Sequence, residues 1–390
     1  MRFILILLSI VALVVSSAVL CLVAGAFSDP TSSLIAVVGS MVWMTWGPFL
    51  LLIALVAVLI GIVGRRARIG WLGGVSLLLA VPATIGAAYI LARIAVAAGS
   101  AGAILHPLAT MSLGDMESPA PDEIETMEGV GGTTLRAAIY RPTPSAEPAP
   151  VLVYIHGGGF RTGTFTETAA DLRWFADKGW LVVSIEYRLA SPGQPTWDKA
   201  MRDATCGLAW ASRNSAELGG DPSRLALMGD SAGGNLAINV GFAAAAGRAT
   251  DDCPSPVPVP SAIAVLYPAV DVESIYADGY PIPGFEPVSL IEDYLGGPPE
   301  RFPERVAAVS SASYITPDAP PTLAILPKKD SLVVARGTEA FAREAQAAGV
   351  DLQLVHIPFA NHVFNQLAAN SLGNQIGRSL RLRFIDDRVR

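Results

Sequence analysis

The sequence predicts an α/β protein: a mostly parallel, doubly wound sheet preceded by a three-helix transmembrane module. Three observations carry this reading. The first hundred or so residues are almost free of charge, short buried strands alternate with amphipathic helices after about residue 128, and two strand ends run into glycine-rich turns. Of the 390 residues 52% are hydrophobic and 16% charged, with a mean hydropathy of +0.46, which excludes a disordered, collagen-like or coiled-coil chain. Charge is unevenly placed. Residues 1–97 carry five Arg and one acid, Asp29, a net of +4, which leaves −11 on the other 293 residues. An acidic C-terminal part offers no basic field to phosphate, so no nucleic-acid partner is expected.

Residues 3–27 form 25 uncharged positions, long enough at about 1.5 Å per residue to cross a hydrocarbon core of about 30 Å. The competing reading is a cleaved signal peptide. Against it, the run exceeds the roughly 7 to 15 residues of an h-region, and further spans follow at about 41–64 and 69–91. Arg2 on one side of the first span, with Arg65, Arg66 and Arg68 between the second and third, places both clusters in the cytoplasm and everything after residue 97 on the opposite face. Arg93 opposes that orientation. The spans read as an anchor in the lipid bilayer rather than a channel, because ion paths normally carry several ionisable groups.

Residues 98–127, rich in Gly, Ser, Pro and acids, read as a tether, and 128–390 as the catalytic domain. Residues 133–140 alternate as a strand, and four prolines between 142 and 150 form a loop that cannot continue a ladder. Residues 151–155 are an unbroken apolar run ending in His156, as in a parallel strand buried on both faces. Helices at 166–178, 196–212, 232–246 and 338–348 then alternate with strands at 180–187, 224–228, 262–267, 322–326 and 352–357, and a helix closes the chain from about 371. The insertion 272–313 breaks the rhythm with two Pro/Gly clusters. It reads as part of a substrate pocket or cap, or else as a surface loop. Cys206 and Cys253 could pair in an oxidising space outside the cytoplasm, but two buried thiols are the expected state, since nothing in the residues places them within bonding distance.

The chemistry concentrates in a few segments. Gly229-Asp230-Ser231-Ala232-Gly233-Gly234-Asn235 stands where a strand stops and a helix starts, the setting of a nucleophile elbow that exposes Ser231 Oγ at a helix N-terminus. His156-Gly157-Gly158-Gly159-Phe160 follows another buried strand, and a glycine run lets backbone N–H groups approach a tetrahedral oxyanion. A phosphate-binding loop is the alternative, but no lysine follows and the G-x-G-x-x-G spacing is absent. Ala232 N–H adds a further donor. Among four histidines, His106 lies in the tether, His156 in the glycine loop and His356 in a strand, whereas His362 follows the last strand, where a base belongs. Asp330, after the strand 322–326, is the acid expected to orient it, and Asp271 is the competing acid.

With these residues the chain resembles the α/β-hydrolase fold of the hormone-sensitive-lipase-like serine esterases, through HGGG and GDSAGGN, over about residues 125–390. Residues 187–192, Tyr-Arg-Leu-Ala-Ser-Pro, and 330–332, Asp-Ser-Leu, are similar to further motifs of that group. The resemblance implies Ser231 as nucleophile, His362 as base, Asp330 as acid and Gly158, Gly159 and Ala232 as oxyanion donors. His156 and Gly157 would support the loop. Two departures stand out: Ser331 occupies the place of the usual proline, and membrane helices occupy the length the group uses for a cap. The expected reaction is hydrolysis of small-molecule or lipid carboxylic esters through an acyl-enzyme, with no metal or organic cofactor. An amidase, arylformamidase or peptidase with the same triad, and a catalytically silent membrane-bound binding module, are the alternatives.

Overall fold

The computed structural model describes residues 2–67, 71–250, 252–282 and 284–389; Arg68 of the expected basic cluster and the start of the third expected span, at 69, lie outside them. The first elements are the helices α1 (Arg2–Phe27), α2 (Leu34–Met41), α3 (Trp43–Arg66) and α4 (Leu72–Ser100). Three of them, α1, α3 and α4, are long and apolar enough to cross a membrane. Their packing inverts the soluble pattern. In α1 the buried positions Ser9, Ala12, Ser16, Val19, Val23 and Ala26 recur every three or four residues and are mostly small, while Phe3, Ile4 and Val14 are exposed. Small residues let helix backbones approach in a medium where large apolar side chains gain nothing by burial. Ala12, Ala57 and Ala80 meet at one such contact, and Ser76 Oγ donates to Ser9 O at 2.8 Å.

The structure differs from the sequence expectation at the end of this region. The third span does not stop at 91: Ile94 and Ala98 stay buried, α4 runs to Ser100, and Arg93 sits within it, donating to Tyr89 Oη one turn earlier at 3.0 Å. The span expected at about 41–64 is α3, and the short helix α2 precedes it, the two meeting at Val42.

The sheet has eight strands: β1 (Glu123–Glu128), β2 (Thr134–Tyr140), β3 (Ala149–Ile155), β4 (Leu181–Ile185), β5 (Gly220–Asp230), β6 (Ala262–Leu266), β7 (Thr322–Pro327) and β8 (Leu352–Ile357). Their order is β1-β2-β4-β3-β5-β6-β7-β8. β1 and β2 form an antiparallel edge, β2 joins β4 antiparallel, and β4, β3, β5, β6 and β7 run parallel. Every residue of β3, β4 and β6 is buried, as strands covered by helices on both faces require. The intervening helices are α5 (Ala169–Asp177), α6 (Ala200–Asn214), α7 (Ala232–Ala245), α8 (Val272–Asp278), α9 (Pro287–Leu295), α10 (Pro303–Val309), α11 (Ala335–Ala347) and α12 (Leu372–Val389).

Two further expectations are corrected. Cys206 and Cys253 form a disulfide, because the Pro-rich loop after α7 folds back over α6, a proximity that 47 residues of separation conceal. The segment 98–127 is not a free tether: it holds the end of α4, a short turn at Ala109–Ser112 and strand β1, whose ladder with β2 runs from Glu123 to Glu128.

By contacts the chain divides into two compact units. One comprises Met1–Gly114 with Pro327–Ser331 and Ile357–Ile376, and the other Asp115–Leu326, Leu332–His356 and Gly377–Arg390. This grouping does not coincide with divisions at 97 and 127. Two segments that begin at the ends of β7 and β8 belong with the N-terminal helices.

Candidate active site

In the second unit, β5 ends at Asp230 and α7 begins at Ala232, so Ser231 alone makes the turn. Its φ of 55° and ψ of −118° lie in a region that costs a non-glycine residue about 1–3 kcal/mol, a strain tolerated where surrounding structure imposes it. The glycines on either side explain how. A Cβ on Gly229 would overlap the carbonyl of Gly233, and one on Gly233 would overlap the carbonyls of Ile155 and His156. Only glycine lets the elbow close against β3. Ser231 N–H donates to Leu266 O at 3.0 Å, and its carbonyl accepts from Ala269 N–H at 3.1 Å, which ties the turn to β6 and the residues after it.

Beneath the elbow is a buried ion network that no sequence motif announces. Arg381 of α12, 1% exposed, donates to Asp230 Oδ1 at 2.8 Å and lies 3.6 Å from Asp171 of α5. Tyr154 Oη of β3 donates to Asp230 Oδ2 at 3.3 Å. Two carboxylates around one guanidinium satisfy a charge that would be prohibitive to bury alone. The only signal in the chain is an arginine 151 residues from an acid of the elbow motif.

The glycine loop follows β3, parallel to and paired with β5, so it shares the elbow's edge of the sheet. Gly158 and Gly159 adopt φ of 107° and 60°, and the ideal Cβ position of Gly157 lies 3.5 Å from Ser231 Cβ. His156 is a bracing residue. Its ring stacks on Tyr187 with centroids 4.4 Å apart, its Nδ1–H donates to Gly157 O at 2.8 Å, and Tyr187 Oη donates to His156 O at 3.0 Å. Burial drives the His156 pKa down to about 4, so the ring is neutral. The insertion meets this loop as well: Phe160 stacks on Tyr294 of α9 at 3.9 Å, and Arg161 pairs with Asp293 at 3.0 Å.

In the first unit, His362 Nδ1–H donates to Asp330 Oδ2 at 2.8 Å, with both side chains buried. A carboxylate on Nδ1 fixes the tautomer and leaves Nε2 as the basic nitrogen. The competing acid is otherwise engaged. Asp271 caps α8, its Oδ1 accepting from Glu273 and Ser274 N–H at 3.1 Å each. Of the remaining histidines, His356 pairs with Glu339 of α11 at 2.8 Å, and the backbone N–H of His106 donates to Gln375. Asn361, which no sequence motif marks, binds Ser331, His362 and α2 through its amide.

Comparison with known proteins follows the same lines. Residues 138–344 match the BD-FAE family. The ethyl acetate hydrolase of Pseudomonas putida is 30% identical over 251 residues, 61% of this chain and 74% of that protein. Carboxylesterase NlhH of Mycobacterium tuberculosis is 42% identical over 107 residues, which span 27% of this chain and 33% of NlhH. Among solved structures, a bacterial heroin esterase superposes with a TM-score of 0.58 at 26% identity, covering 69% of this chain and 84% of that one.

Proposed function

The chain belongs to the BD-FAE family, has the α/β-hydrolase fold and is a carboxylic ester hydrolase, and from this we propose that it works by serine acyl transfer at a membrane. Ser231 Oγ attacks the ester carbonyl while His362 Nε2 takes its proton, and Asp330 holds the imidazole and stabilises the imidazolium that forms. The oxyanion is bound by the N–H groups of Gly158, Gly159 and Ala232, the last being one of the first N–H groups of α7, which have no partner within the helix. His362 returns the proton to the departing alcohol. Water, activated by the same histidine, then releases the acid from Ser231.

The observation that carries the assignment of roles is the buried 2.8 Å hydrogen bond between His362 and Asp330, in a chain whose one elbow serine is strained as a nucleophile elbow requires. The catalytic part belongs outside the cytoplasm: Arg65 and Arg66 end α3, the chain beyond α4 is acidic, and the Cys206–Cys253 disulfide suits an oxidising compartment. Substrates are then lipid-derived or cell-envelope esters.

Two measurements address both points. In detergent, Ser231→Ala and His362→Ala should each lower kcat/KM on p-nitrophenyl esters by about 10³-fold or more, and activity within tenfold of wild type in either overturns the triad. Intact cells expressing the wild-type chain should hydrolyse a charged, membrane-impermeant ester without lysis. Activity that emerges only on lysis overturns the orientation.

A further inference from the structure

We propose that the N-terminal apolar helices position the catalytic base, with Asn361 as the positioning residue that joins them to it. The proposal rests on the reading of Asp330 and His362 as acid and base.

Asn361 is 1% exposed and uses both ends of its amide. Its Oδ1 accepts three hydrogen bonds, from Ser331 N–H at 2.8 Å, Ser331 Oγ at 3.0 Å and His362 N–H at 2.7 Å. Two of these donors are backbone N–H groups, which can only donate, so the oxygen's place is fixed by chemistry. One atom thereby ties the residue after the acid to the backbone of the base. Nδ2 points the other way, donating to Ser40 Oγ at 2.8 Å and approaching Val37 O at 3.4 Å, both on α2. Ser40 is fully buried, and its own proton goes to Ala36 O and Val37 O at 2.9 Å each, leaving its oxygen to accept.

The same two segments touch the apolar helices elsewhere. Phe359 packs edge-on against Phe27 with centroids 5.1 Å apart and lies 6.4 Å from Tyr89, and Lys329 Nζ donates to Ser28 O at 2.7 Å just past the end of α1. Ser331 is suited to this place, and a proline there would not be. Proline has no N–H and no hydroxyl, so it would supply neither of the two donors that Asn361 Oδ1 receives from this position. Aspartate at 361 would turn an acceptor toward Ser40 and bury a charge, so the amide is required by its two-sidedness. The helices are on this view a structural part of the acid–base pair, in addition to any role as anchor.

The test uses the full chain in detergent, with kcat, KM and the pH profile of kcat/KM measured on p-nitrophenyl acetate for Ser40→Ala, Ser40→Thr and Asn361→Ala. Ser40→Ala removes the nearer of the two acceptors on α2, leaving Val37 O at 3.4 Å. It should lower kcat by about tenfold with KM within about twofold, and should shift the acidic limb of the profile, while Ser40→Thr, which keeps the hydroxyl, restores both. Asn361→Ala should lower kcat further. Wild-type kcat and pH profile in Ser40→Ala overturn the proposal whatever Asn361→Ala does, including a failure to fold. That result leaves the triad itself intact, whereas unchanged activity in His362→Ala removes the triad and the proposal together.

Discussion

The elbow at Ser231 and the segments that carry the proposed acid and base, Asp330 and His362, are held by different kinds of forces. The elbow's shape follows from residues adjacent in sequence: glycines at 229 and 233 permit a close approach, the start of α7 supplies N–H groups, and β3 and β6 fix the turn from either side. The segments 327–331 and 357–376 have no such local motif. They are held by side chains that reach residues some 300 positions away, through Asn361 to Ser40, Lys329 to Ser28 and Phe359 to Phe27. A motif that shapes itself survives changes in its surroundings, whereas a pair shaped by long-range partners is sensitive to them. This enzyme combines one of each.

The sharpest way to break the contrast is to attack the elbow at its long-range point, the buried arginine. Arg381→Ala removes the guanidinium between the buried Asp230 and Asp171 and should cost about 3–5 kcal/mol of stability, read as a lower melting temperature or loss of folded protein. A melting temperature unchanged from wild type would show that the elbow depends on local geometry alone.

The glycine loop gives the next effect. His156 has a folded pKa of about 4 against an ordinary 6.5, so between these values the unfolded chain binds a proton that the folded chain refuses. Stability should be full above pH 6.5 and fall by about 3 kcal/mol as pH drops toward 4, because one pH unit across that window is worth about 1.4 kcal/mol. His156→Phe keeps a ring against Tyr187 and should remove this component of the pH dependence. Equal slopes for both proteins in denaturant melts from pH 4 to 7 would contradict the assignment.

The smallest effect belongs to the acid–base side. Lys329→Ala removes a cation from the carbonyl end of α1 and should cost about 0.3–1 kcal/mol, visible as a melting-temperature change of a few degrees at most. A larger drop would mean that the attachment rests on this contact more than on Asn361.

Much of the site was legible because its chemistry is written in contiguous residues. The glycine spacing around Ser231 marks the strained turn between β5 and α7, the run after His156 marks the loop proposed to bind the oxyanion, and the placement of Asp330 and His362 after the last two strands follows from the strand count. The disulfide, the Arg381 network and the cap role of Asp271 were not legible, since each depends on which groups meet once the chain is folded.

The alternating α/β order, the three apolar helices and the elbow serine can be read along the chain, because strand burial, membrane length and elbow geometry are set by local composition and by residues within one turn of each other. That Cys206 meets Cys253, that Arg381 sits beneath the elbow and that Asn361 faces both His362 and α2 emerges only on folding. Pairing of buried polar groups is a matter of distance in space, and spacing along a chain carries little of that information once it exceeds a helix or a hairpin.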